Sequence, residues 1–120
     1  MAKLDLYEGR EPHTIILEVE GEKKEFKAPS DFTEEEIERL LEFEEKLEKE
    51  KNIDNRYNIF FEQIYLLFRR YNPDMTVEFL KKHLSRNEVL KILNFVAVNN
   101  FAVKAKNSEG ENTSKKKLPN

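Results

Sequence analysis

Apolar positions follow two different periods along the chain, first that of a strand and then that of a helix. In residues 14–19 apolar side chains alternate with others, and residues 24–28 form a second short run around Phe26. Gly21 lies between the two runs and provides a turn. The pattern predicts a two-stranded β-hairpin over residues 13–28.

A hairpin of this kind has exposed edges. Two strands alone are marginal in water, so the hairpin must rest on helices or pair with a strand of another chain. The residues that we expect to take part in such edge-strand pairing are Ile16, Glu18 and Phe26.

Helical spacing and helix-capping residues begin at residue 33. Thr33 and Ser85 each start a capping box, and Thr76 supplies a third cap. These signals predict about four helices within residues 33–103. The fold class is therefore predicted as α+β, mostly helical, with one globular domain over residues 13–103.

The first predicted helix carries a carboxylate among its apolar side chains. Glu44 falls in the middle of the apolar arc, so we expect it either at the margin of the core or opposite a basic group on a partner. The apolar positions of this helix are Ile37, Leu40, Leu41, Phe43 and Leu47.

The second predicted helix is apolar on two sides. In residues 57–71, YNIFFEQIYLLFRRY, most aromatic side chains fill one arc, whereas Ile59 and Leu66 fall opposite. Phe95 and Val98 likewise fall outside the inner arc of the last helix. Each of these four contributes about 1.5 to 3 kcal/mol if a partner buries it. They are the predicted partner-binding residues.

Charge divides the chain into two parts. Charged residues make up 38% of the 120 residues, against roughly 25% in typical soluble domains. Residues 1–103 have a balance of −6, and residues 104–120 have a balance of +3. The last segment has too few apolar side chains to offset its ordering entropy. We expect a disordered basic tail at 104–120, a flexible lead-in at 1–12, and an acidic body that repels nucleic acid.

The residue types that catalysis and metal binding require are scarce. The chain has no cysteine, and His13 and His83 lack a further ligand at metal spacing. No glycine-rich loop can hold a phosphate group. No apolar run reaches the roughly 18 residues of a bilayer span, and no export signal is visible. We expect a cytoplasmic protein with no enzymatic activity, catalytic residue, metal, cofactor or membrane partner.

A second hypothesis uses the basic residues around the short third helix. A small helical regulator could contact nucleic acid through them, and duplex binding at low salt would distinguish it. These residues are Arg69, Arg70, Lys81, Lys82, Arg86 and Lys91.

The order of elements resembles that of a known family. A short hairpin (TIILEVEGEKKEFKA), an acidic helix (FTEEEIERLLEFEEKLEKE), an aromatic-rich helix, a smaller helix pair and a lysine-containing polar tail resemble the tail assembly chaperones of long-tailed phages or prophages of Gram-positive bacteria. The resemblance implies a protein that binds apolar helical segments of the tape measure protein. It also implies a homo-oligomer that acts in the host cytoplasm during tail assembly.

Overall fold

In the computed structural model, residues 2–6, 8 and 11–102 are described, without the side chains of 101 and 102. The predicted tail at 104–120 lies outside these residues, as do four positions of the predicted lead-in. The α+β class is confirmed, because an N-terminal antiparallel hairpin precedes four helices. The elements are β1 (His13–Val19), β2 (Glu22–Ala28), α1 (Glu34–Lys49), α2 (Ile53–Arg69), α3 (Val77–His83), α4 (Arg86–Ala97) and a π-helical turn (Val98–Ala102).

A two-residue turn joins the strands. Glu20 and Gly21 have φ values of 53° and 83°, the left-handed values that a tight hairpin turn requires. The ladder pairs Val19 with Glu22 at the turn and His13 with Ala28 at the open end. One face of the hairpin packs on the helices, because Leu17 and Val19 are buried whereas Ile16 is exposed.

Side chains cap each of the helices α1 to α4 at its start, and three of these caps are predicted by the sequence. Thr33 and Ser85 form complete capping boxes, and the Thr76 hydroxyl accepts a hydrogen bond from the amide of Phe79. The fourth cap, which the sequence does not predict, is Asn52: its side chain accepts a hydrogen bond from the amide of Asn55 at the start of α2.

Helix α2 is the centre of the molecule. It packs against α1, α3, α4 and β2. The main core combines its inner side chains with those of the hairpin and the last two helices. The fully buried side chains of this core include Ile64, Phe68, Leu80 and Val89.

The second apolar side of α2 is covered by α1 within the same copy. Leu66 is only 2% exposed, so the expectation that it projects outward is wrong. The reason is a helical hairpin: α1 and α2 are joined by three residues, which forces α1 back along the outer side of α2. Phe43 of α1 is buried and, like Leu66, does not belong to the main core.

Candidate protein-binding grooves

Two polar contacts fix α1 against α2. Near one end, Nη1 of Arg56 donates to the carbonyl oxygens of Leu47 (2.6 Å) and Glu50 (3.1 Å), which lie at the end of α1. Near the other end, Arg70 forms an ion pair with Glu36. Arg56 and Arg70 therefore lie on the side of α2 that faces α1. Residues three or four positions apart share one side of a helix, so this side also contains Ile59 and Leu66, in the series 56, 59, 63, 66 and 70.

The ion pair joins the buried Glu36 carboxylate to the partly buried guanidinium of Arg70. Glu36 is buried, and its carboxylate also accepts a hydrogen bond from the amide of Thr33 at 3.0 Å. Nε of Arg70 donates to Oε2 of Glu36 at 3.2 Å, and its Nη2 donates to Oε1. Burial alone would lower the pKa of Arg70, but the hydrogen bond and charge of Glu36 and a smaller contribution from Tyr71 leave it raised. The guanidinium therefore remains charged across the working pH range.

A groove runs between α1 and α4 with α2 as its floor; we call it the helical groove. Its volume is about 430 Å³, within the range of ligand and peptide sites. All but two of its lining side chains are apolar. They are Phe32, Ile37, Leu40, Leu41, Glu44 and Leu47 on the α1 side, Phe60, Gln63 and Leu67 on α2, and Leu93, Val96 and Ala97 on α4.

The α1 wall of the helical groove combines exposed apolar and acidic side chains. Leu41 is 57% exposed, and Glu44 is exposed beside it. The sequence predicts Glu44 either at the margin of the core or opposite a basic group on a partner. It lines a groove that is open to solvent, which is compatible with both.

A second groove lies between the free edge of β1 and α4; we call it the strand-edge groove. Its volume is about 380 Å³. One wall is formed by β1, through Thr14, Ile15, Ile16, Leu17 and Glu18. The other wall is formed by Leu84, Glu88, Lys91, Ile92 and Phe95. Ile16 and Glu18, predicted for edge-strand pairing, therefore line the same groove as Phe95, predicted for partner binding.

The remaining predicted residues are distributed over the molecule. Val98 is 42% exposed at the start of the π-helical turn, and Ile59 is half-buried on the α1 side of α2. Phe26, predicted for edge-strand pairing, is half-buried on the core face of β2, where its ring lies 5.9 Å from Phe68 and 6.0 Å from Phe79. Its side chain thus points toward the helices.

Residues around Asn100 hold the open end of the hairpin against the end of α4. Asn100 is buried, and its Oδ1 lies 2.7 Å from Nε2 of His13, which therefore donates. Its Nδ2 donates to the carbonyl of Pro29 at 3.2 Å. The His13 ring also contacts Phe95 edge-on, with centroids 5.3 Å apart. These contacts position Phe95 beside the strand.

The basic residues of the nucleic-acid hypothesis do not form one free cluster. Arg70 is bound by Glu36. Arg86 donates to Asp54 at 2.7 Å and lies over the ring of Tyr57 at 4.4 Å. Lys81, Lys82 and Lys91 are exposed. Two of the six cations are thus engaged by carboxylates, which weakens this surface as a phosphate-binding site.

The described part of the chain offers neither a metal-binding cluster nor a membrane-spanning helix. Within residues 2–6, 8 and 11–102, no group of three or more histidine and acidic side chains is arranged to hold a metal ion. Over the same residues, every helix is too short or too polar to cross a bilayer.

Comparison of the chain with protein-family models, with curated proteins and with solved structures finds no match.

Proposed function

We propose that the protein is a non-enzymatic phage tail assembly chaperone that binds apolar helical segments of the tape measure protein and self-associates during tail assembly. The observation that supports client binding best is the helical groove. It is open and lined almost entirely by apolar side chains, with Leu41 exposed on its wall. Exposed apolar surface of this kind is typical of protein-binding sites.

The shape of the groove favours a helix as its occupant. Helices α1 and α4 form two walls above a helical floor, and an amphipathic helix laid between them presents apolar residues three and four positions apart to the lining. We therefore propose client contacts on Leu41, Leu93 and Ala97. The sequence predicts Ile59, Leu66, Phe95 and Val98 instead, but none of these four lines the helical groove, and Leu66 is buried.

Charge on the α1 wall selects among apolar helices. Glu44 lies within the lining, and α1 carries further glutamates along its exposed side. A client helix with lysine or arginine beside its apolar stripe therefore gains complementary contacts, whereas an acidic one is repelled.

The first test measures binding of a synthetic helix with a leucine stripe flanked by lysines. Fluorescence anisotropy of the labelled peptide should show saturable binding to the full chain, and a scrambled peptide of the same composition should bind much more weakly. Leu41→Lys should weaken binding by about tenfold or more, since it places a charge in an apolar contact and repels the lysines of the peptide. Circular dichroism should show unchanged helicity, because Leu41 is exposed.

Equal binding of the ordered and scrambled peptides, or full binding by Leu41→Lys, would contradict client binding in the helical groove. The matched control is Ile16→Glu, which also replaces an exposed apolar side chain but lies outside this groove. That variant should bind the peptide as tightly as the unaltered chain.

A further inference from the structure

The two edges of the hairpin differ in their openness. Because the two-residue turn closes on the Val19–Glu22 pair, alternation of the ladder turns the backbone groups of residues 23, 25 and 27 outward on β2. The carbonyl of Lys27 already accepts a hydrogen bond from Nδ2 of Asn72 at 2.9 Å. Lysines at 23, 24 and 27 further protect this edge from pairing.

The edge of β1 lacks these protections. The same alternation turns the backbone N–H and C=O groups of Thr14, Ile16 and Glu18 outward. Within the described residues the sheet has two strands, so no third strand occupies this edge. Ile16 stands at its centre and is 59% exposed, and Phe95 beside it is 39% exposed.

We propose that the β1 edge is the self-association surface, where a second copy of this chain adds its own β1 antiparallel, with Ile16 opposite Ile16. The result is a four-stranded sheet in the order β2, β1, β1, β2. This inference deepens the self-association in the proposed function and rests on it, but it does not involve the helical groove.

Charge complementarity selects the second copy as the occupant. With Ile16 opposite Ile16, Glu18 of each copy lies opposite Thr14 of the other. The Thr14 hydroxyl already accepts a hydrogen bond from Nζ of Lys27 at 2.7 Å. Each Glu18 carboxylate therefore meets a lysine of the other copy, and the symmetry of the pair creates this contact twice.

Other registers are less favourable. Centring the pair on Glu18 places two carboxylates directly opposite each other, which is destabilising. Centring it on Thr14 shortens the overlap and leaves Ile16 outside the middle of the ladder. The register centred on Ile16 covers the exposed isoleucine and uses all three outward-facing residues.

The test is sedimentation velocity over a concentration series with the full chain. The unaltered chain should dimerise or form larger assemblies, and Ile16→Glu should raise the dissociation constant about tenfold or more, because like charges then face each other across the strand pair. Leu41→Glu is the matched control and should leave association unchanged. A chain that stays monomeric throughout, or an Ile16→Glu variant that associates normally, would overturn the proposal.

A charge exchange tests the register itself. Glu18→Lys and Lys27→Glu should each associate weakly alone, because each places like charges opposite one another in both symmetric contacts. A mixture of the two variants should associate again, since the mixed pair has one lysine and one glutamate in each contact. Failure of the mixture to associate would overturn the register. The peptide assay distinguishes failure of this proposal from failure of client binding. An Ile16→Glu variant that no longer associates but still binds the lysine-flanked peptide shows that the two surfaces act independently.

Discussion

Leu66 lies on the side of α2 that faces away from the main core, and its side chain is only 2% exposed because α1 folds back over it. Helical periodicity gives the direction of a side chain relative to its own helix, but it cannot tell whether the covering partner is a neighbouring helix or another chain.

The packing role of Leu66 leads to a stability prediction. Leu66→Ala should lower the free energy of unfolding by about 2 to 5 kcal/mol, through lost burial and a cavity between α1 and α2. Leu41→Ala on the exposed side of α1 is the control, with an expected change within about 0.5 kcal/mol. Urea denaturation of both variants measures the difference. Similar values for the two would show that Leu66 does not support the α1–α2 contact.

The Glu36–Arg70 pair makes a separate prediction. Arg70→Met should cost about 2 to 4 kcal/mol of stability, because it leaves the buried Glu36 carboxylate without its cation. Adding Glu36→Gln should recover part of this loss, since a neutral amide tolerates burial better. A double variant that loses as much as the two single variants together would show that the groups act independently.

At the scale of elements, the sequence predicts most of the fold because caps and periodicity are local signals. Thr33, Thr76 and Ser85 start their helices as predicted, and Gly21 takes part in the predicted turn. The helical groove was not predicted, because it needs the relative placement of α1 and α4. A related signal in the sequence is Glu44, which falls within the apolar arc of α1 and lines the groove.

Helix α1 should be less protected than α2 against opening. It packs chiefly on α2, whereas α2 is surrounded by α1, α3, α4 and β2. Native-state hydrogen exchange should therefore show lower protection for the amides of α1 than for those of α2. Bound peptide should raise the protection of α1, because it adds a second contact. Equal protection of the two helices in the free chain would contradict this view of α1.

The two grooves of the molecule suit different kinds of recognition. The helical groove is lined by apolar side chains that suit a helix, and the strand-edge groove runs along outward-facing backbone groups that suit a strand. Both grooves use α4 as a wall, but no side chain lines both, so the two proposed partners would contact different residues. The sequence predicts Ile16 and Glu18 for one kind of contact and Phe95 for another, and only the fold brings the three together.

The proposed binding of an apolar helix between α1 and α4 is tested most directly by a nuclear magnetic resonance titration of the isotope-labelled chain with the lysine-flanked leucine helix. We expect saturating chemical-shift changes concentrated at Phe32, Leu41 and Ala97, with small changes along β2. Changes centred on the β1 edge or the basic side of α3, or no saturating change at any residue, would contradict it.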